Sequence, residues 1–279
     1  MDALLPVEIA RKAEDVGAQK AQMDALRLFV LAVLAGAFIG LGAMFATTVM
    51  AGTDDTLPFG LSRLIAGVAF STGLILIVAG GAELFTGNTL MVMALAARKI
   101  SAGKMLRAWA IVYVGNFIGA VGTSVLVFLS GQYLSGDGSV AIAALSIGTG
   151  KVALPFDQAF FLGILCNVLV CLAVWLSLGA RSTADKVLAV LFPISAFVAA
   201  GFEHSVANMY LIPLALLISV SAEPIVMQAP AGQLEVLTWA AFLWSLIPVT
   251  LGNVVGGSVL VGGVYWFVYL RHEGKQPAP

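Results

Sequence analysis

Gly81-Ala82-Glu83-Leu84-Phe85-Thr86-Gly87-Asn88 and Gly201-Phe202-Glu203-His204-Ser205-Val206-Ala207-Asn208 repeat one pattern, G-x-E-x-x-x-x-N, inside two apolar stretches. Glu83 and Glu203 are the two carboxylates that fall within such stretches. An ionisable side chain at mid-membrane costs about 3 kcal/mol by insertion scales, so it is rarely kept without a role. A matched pair in two halves of a chain points to a repeat-built pore or transporter, with its site where the repeats meet.

The composition around these stretches bounds the class. Hydrophobic residues make up 60% of the 279 residues and charged residues 10%, against about 25% charged in an ordinary soluble domain. Apolar runs of spanning length recur at Leu26–Ala51, Leu64–Ala97, Met105–Leu129, Phe160–Leu178, Val187–Val220 and Leu237–Leu270. Six crossings of roughly 20 residues each use most of the chain. The second and fifth runs are too long for one simple span, and they hold the repeated pattern. The expected organisation is a single transmembrane domain over residues 1–279. Within it, 1–25 form a cytoplasmic N-terminal segment, 26–270 the six-span pore domain and 271–279 a cytoplasmic tail. The first 25 residues are polar and mixed in charge, unlike the apolar core of a signal peptide.

Charge placement gives an orientation. Arg11, Lys12, Lys20, Arg27, Arg98, Lys99, Lys104, Arg107, Arg181, Lys186, Arg271 and Lys275 fall on one side, and Arg63 and Lys151 on the other. The positive-inside rule puts both termini in the cytoplasm, and six crossings agree with two ends on one side. Cys166 and Cys171 lie five apart within the fourth run, about 140° apart on a helix. They read as small core residues, with no disulfide framework and no metal set.

The halves match further. Gly115-Asn116-Phe117-Ile118-Gly119-Ala120 mirrors Gly252-Asn253-Val254-Val255-Gly256-Gly257. Three spans per half means that the second half enters from the opposite side, an inverted repeat about an axis in the membrane plane. The long second and fifth helices are expected to break at the pattern, where Gly80, Gly81, Gly87 and Gly201 are poor helix formers. A break frees backbone groups that hydrocarbon cannot satisfy. Glu83 and Glu203 are expected to brace the breaks by accepting hydrogen bonds from those N–H groups, with a proton or cation site as the alternative.

His204 is the asymmetric element, since its repeat partner is Leu84. Adjacent helical residues point about 100° apart, so a backbone-tying Glu203 leaves His204 to face a lumen. An imidazole there can donate a hydrogen bond or exchange a proton near neutral pH. Phe197 lies seven residues before His204, on the same helix side, and Phe70 and Leu74 form an i, i+4 pair leading to the first break. Such residues could form apolar narrowings that exclude hydrated ions.

Three stretches in order resemble the signatures of the formate/nitrite transporter family. They are Gly81 to Asn88, Gly163-Ile164-Leu165-Cys166-Asn167-Val168-Leu169-Val170-Cys171-Leu172-Ala173, and Gly201 to Met209, and the likeness runs from about Leu4 to Leu270. The resemblance implies an all-α, aquaporin-like six-transmembrane bundle of two inverted three-helix repeats with helices 2 and 5 broken. It implies a homopentamer in the inner membrane, one pore per protomer, and transport of small weak-acid anions: formate, nitrite, hydrosulfide or short carboxylates. It carries no cofactor and no nucleic-acid partner. Aquaporins themselves match poorly, because Thr89 and Met209 follow Asn88 and Asn208 where Asn-Pro-Ala would require proline.

Carried over by position, His204 is similar to the family's central pore histidine and Thr86 to the threonine that approaches it. Asn253 and Asn167 resemble polar pore-lining asparagines. Phe70 and Phe197 look like one narrowing; Leu74, Leu84, Phe85 and Val170 look like the other. Lys151 resembles an outer-entrance lysine that attracts anions. Leu57-Pro58-Phe59-Gly60 and Asn208-Met209-Tyr210-Leu211-Ile212-Pro213 lean toward the formate channels. So does Leu4 to Ala10, similar to an amphipathic helix that gates the inner mouth, whereas Thr86-Gly87-Asn88 reads more like the nitrite branch.

The expected mechanism has Lys151 drawing the anion in and His204 meeting it between the narrowings, with proton transfer through the imidazole as a route. Channel and proton symport both remain open. An intramembrane enzyme built on His204 and Glu203 is the rival class, and it lacks a second histidine within the spans, His272 being in the tail.

Overall fold

The computed structural model describes residues 4–53, 56–221 and 234–271; His272 and Lys275 lie outside them. The chain forms two copies of one five-part unit. The first is α1 (Pro6–Gln22), α2 (Ala25–Met50), α3 (Phe59–Gly80), α4 (Phe85–Ala96) and α5 (Ala102–Leu129). The second is α6 (Ser139–Val152), α7 (Phe156–Gly179), α8 (Thr183–Ala199), α9 (Ser205–Ser219) and α10 (Trp239–Tyr269). Two crossings are broken, α3/α4 and α8/α9, and the others are continuous. The described residues contain no strand.

Each unit therefore holds three crossings and a leading helix that does not cross. The crossings start earlier than hydropathy alone suggests, at Phe59 rather than Leu64 and at Phe156 rather than Phe160. The first five residues of these helices carry a charged side chain (Arg63, Asp157) that ends an apolar run without ending a helix. The sequence reading did not anticipate α6. Its 14 residues reach about 21 Å, short of the roughly 30 Å of hydrocarbon.

The matched Gly-Asn-x-x-Gly stretches are where continuous helices touch. A Cβ at Gly119 would strike the Val33 carbonyl oxygen, and one at Gly36 would strike that of Asn116, so α2 and α5 pack backbone to backbone. The second unit repeats the contact between α7 and α10, where a Cβ at Gly163 would lie 2.8 Å from the Val249 carbonyl oxygen. Small residues four apart let transmembrane helices approach closely. α10 differs from α5 in winding as a π-helix over Val255–Gly263. Gly257 on that stretch leaves room for Thr89 and Cys171.

α1 lies across one end of the bundle. Ile9, Ala10, Ala13, Gly17 and Ala21 form its buried face, at the three- and four-residue spacing of an amphipathic helix. Lys12 Nζ donates to the Leu178 carbonyl at 2.7 Å, and Lys99 pairs with Glu14 at 2.6 Å and Asp15 at 2.7 Å. Those two carboxylates, Asp15 first, push the Lys99 ammonium above its ordinary value. A raised lysine keeps its charge below that value, so the tether holds at neutral pH and is lost only as pH rises through the lysine range. Large apolar side chains such as Leu126, Leu129, Phe192 and Trp244 stand exposed on the outside of the bundle, an apolar surface of the kind that marks contact with a membrane or another protein.

Gly119→Ala should force α2 and α5 apart and cost about 1–3 kcal/mol, read as a lower melting temperature of the detergent-purified protein. Gly122→Ala, where an added Cβ meets nothing within 4 Å, should leave melting unchanged or raise it.

Candidate functional site

The two breaks share one local construction. Gly81 and Gly201 end α3 and α8 in the left-handed region, at φ 76° and 73°, which favours glycine. Ala82 N–H then bonds the Ile77 carbonyl, and Phe202 N–H that of Phe197, closing each helix end. The chain runs extended to Leu84 and His204, which are the N-caps of the next half-helices.

The freed backbone groups are satisfied by asparagine side chains from the continuous helices. Asn116 Oδ1 accepts from Phe85 N–H at 2.8 Å, while its Nδ2 donates to the carbonyls of Ala32 at 2.7 Å and Glu83 at 2.9 Å. Asn253 does the same in the other half. Its Oδ1 accepts from Ser205 N–H at 2.9 Å, and its Nδ2 donates to the carbonyls of Gly163 at 2.8 Å and Glu203 at 2.9 Å. This corrects the reading of Asn253 as a pore-lining amide: it is fully buried and spends three hydrogen bonds on backbone. Asn167 is likewise buried, its Nδ2 directed at the Thr86 carbonyl, Thr89 Oγ1 and the Asn253 carbonyl.

Glu83 and Glu203 stand at the breaks with partners other than the expected ones. Their carboxylates accept from side chains rather than from the freed N–H groups. Glu83 takes Asn88 Nδ2 at 2.9 Å and pairs with Lys20 at 2.9 Å. Glu203 takes Asn208 Nδ2 at 2.7 Å and pairs with Lys151 at 2.8 Å. Each lysine sits in the last turn of the leading helix of its own unit. Lys151 is therefore not a solvated loop cation, since its side chain is 16% exposed and its charge is matched by Glu203.

Two cavities flank the breaks. One, of about 360 Å³ on the α6 side, is bordered by Phe70, Phe197, Arg63, Lys151, Glu203 and His204. The other, of about 220 Å³ on the α1 side, is bordered by Leu74, Leu84, Lys20, Glu83 and residues of α1. Phe70 and Phe197 meet edge to face at 5.5 Å. Phe85 and Val170 border neither cavity. Phe85 turns away to Trp109 and Tyr113, at 6.0 and 4.9 Å between centroids, and Val170 is buried in the core. Glu203 and His204 border the same cavity, because the segment is extended and helical angles do not apply to it.

His204 joins the halves. Its Nε2 lies 2.9 Å from Thr86 Oγ1, and its ring stacks on Phe197 at 6.0 Å. Its Nδ1 accepts from Ala207 N–H at 3.1 Å, capping α9. A backbone N–H can only donate, so Nδ1 carries no proton, and the neutral ring holds its proton on Nε2, facing Thr86. Thr86 Oγ1 is thereby an acceptor, and its own hydroxyl proton is left to donate elsewhere. Sequence reasoning singled out His204 and Thr86 but gave no site role to Asn116, Lys20, Asn88 or Asn208. Asn88 and Asn208 close the repeated pattern, the repeat partners Asn253 and Lys151 were in view, and Lys20 and Lys151 each lie five residues before the first residue of the next crossing.

Replacing Asn116 or Asn253 with alanine should each cost about 3 kcal/mol or more, because buried backbone groups lose their partners. Lys151→Met should cost about 3–5 kcal/mol by stranding a buried carboxylate, and Glu203→Gln in the same chain should restore most of it. Melting of the purified proteins reads all four; an unrescued double variant would contradict the pairing.

The family model described as "Formate/nitrite transporter" matches residues 7–267. Formate channel FocA of Escherichia coli strain K12 is 43% identical over 276 residues, covering 98% of this chain and 96% of the relative. Formate channel FocA of Haemophilus influenzae is 37% identical over 264 residues, covering 93% of each. A solved pentameric formate channel with formate bound superposes with a TM-score of 0.82 at 42% identity, covering 88% of this chain and 98% of that one. A second structure, an FNT family ion channel, gives 0.80 at 32% identity, covering 93% and 98%. A fold of two inverted three-crossing repeats, broken at paired glycines around a central histidine, is thus matched along nearly its whole length: this chain is a multi-pass membrane protein of the formate/nitrite transporter family.

Proposed function

We propose that this chain is a formate channel of the inner membrane that works as a homopentamer with one pore per protomer. Residues 1–25 and 271–279 are cytoplasmic and 26–270 form the pore domain, so the α1 side faces inward and the α6 side outward. The observation that carries the reading is the Thr86–His204 hydrogen bond, 2.9 Å long, which ties buried Thr86 of one half to His204 on the α6-side cavity. The two cavities have apolar walls at Phe70 and Phe197 on the α6 side and at Leu74 and Leu84 on the α1 side. Likeness to formate channels over nearly the whole chain favours formate above nitrite. The exposed apolar exterior supports burial among protomers and lipid.

Removing a small anion from water into an apolar slit is expensive unless a donor replaces the water it loses. His204 Nε2–H holds Thr86 Oγ1, which turns the Thr86 hydroxyl proton toward the passing carboxylate. The N-terminal end of α9, where His204 is the cap, adds partial positive charge. Doubly protonating the ring would place an N–H on Nδ1 facing Ala207 N–H and break the cap. His204 thus acts as an oriented donor, and the anion crosses without a histidine-bound proton being consumed.

Formate uptake into proteoliposomes tests this. The wild-type protein should carry formate, and His204→Asn should pass it about tenfold more slowly or worse, the loss of one good hydrogen bond. Asparagine can still cap Ala207, so the fold should stand. The residual flux should keep the wild-type pH profile; a profile flattened by the substitution would restore proton relay through the ring.

A further inference from the structure

The α6-side cavity holds a charge that the internal repeat does not explain. Among the described residues that border it, the charged side chains are Arg63, Lys151 and Glu203. Lys151 and Glu203 cancel at 2.8 Å, which leaves one net positive charge, that of Arg63. The α1-side cavity is bordered by Lys20 and Glu83, which cancel at 2.9 Å. Arg63 lies eighteen residues before Gly81, and eighteen before Gly201 stands Thr183, an exposed residue. The scaffold therefore does not require a cation at that place.

The guanidinium is held but not saturated. Nη2 donates to the Val198 carbonyl at 3.0 Å, at the end of α8. It sits over Gly201, where an added Cβ would come within 3.3 Å of it. The Phe59 ring is 6.0 Å away, at the outer limit of a cation–π contact. Nε is buried with no hydrogen-bond partner. A guanidinium has five donors in a planar fork that suits a carboxylate, and here most of them remain to be used.

We propose that Arg63, rather than the Lys151–Glu203 pair, captures the substrate anion at the mouth of the α6-side cavity and sets its affinity there. This rests on the reading of the pore as a formate channel. A single uncancelled charge on low-dielectric walls focuses the field and raises the local concentration of anions. The planar fork favours a planar oxyanion such as formate over a spherical one. The anion passes from Arg63 to the Phe70–Phe197 narrowing, where Thr86 and His204 supply the next donors. No equivalent capture point lies at the α1-side cavity among the described residues, so the two mouths differ in affinity.

Initial rates of formate uptake by the full-length protein in proteoliposomes separate capture from capping. Arg63→Gln loses the charge and, its amide being two bonds shorter than Nη2, the Val198 contact; Arg63→Lys keeps the charge and loses the fork. The expected result for Arg63→Gln is a roughly tenfold rise in the half-saturating formate concentration, the low end for focused charge. Its maximal rate should match wild type, and Arg63→Lys should show a half-saturating concentration in between. Wild-type uptake at sub-saturating formate should fall as salt is added, and Arg63→Gln uptake should not. Wild-type half-saturation and salt dependence in Arg63→Gln would overturn the proposal. So would equal loss of maximal rate and melting temperature in both variants, which would make Arg63 only a helix cap. Wild-type vesicles that pass no formate would instead overturn the reading of the pore.

Discussion

The structure depends on two side-chain amides, Asn116 and Asn253. A pore that donates hydrogen bonds at mid-membrane needs a broken helix, and a broken helix leaves backbone groups that lipid cannot satisfy. Each amide bridges its break with one acceptor and two donor contacts. The bridging asparagine stands on a continuous helix whose flanking glycines bring it against α2 or α7. Close helix packing, helix breaking and backbone satisfaction are thus one arrangement made twice.

Function comes from where the two copies differ. The Glu–Asn–Lys clusters around Glu83 and Glu203 are alike in geometry and neutral in sum, and we read them as scaffold. His204 stands where the other copy has Leu84, Arg63 where it has Thr183, and α10 contains a π-helical stretch that α5 lacks. A twofold scaffold alone would give a symmetric pore. By our proposal, these replacements give it one central donor pair and one mouth of higher anion affinity.

Much of this was legible in the sequence. The paired G-x-E pattern gave the breaks, and an odd number of spans per half gave the inversion. His204 stood out because the repeat did not need it. Asn253 looked like a pore liner through its likeness to the family's asparagine, and Asn116 was given no role, because the partners of both were out of sight. Those partners, Ala32, Glu83, Gly163 and Glu203, lie on other segments. α6 was missed because a half-length apolar helix falls below the spanning threshold. Lys20 was read as a topological charge and Lys151 as an anion-attracting lysine at the outer entrance, although their equal spacing before α2 and α7 was available. Phe85 looked like a narrowing by position, but the turn at the break points its ring at Trp109 and Tyr113.

The central claim is that His204 is fixed as an Nε2–H donor by the cap it provides to α9. Nitrogen-15 solid-state NMR of the reconstituted protein, with His272 replaced so that one histidine remains, reads the ring directly. The account predicts a neutral ring at neutral pH with the proton on Nε2 and an unprotonated Nδ1. A doubly protonated ring, or a proton on Nδ1, would contradict it.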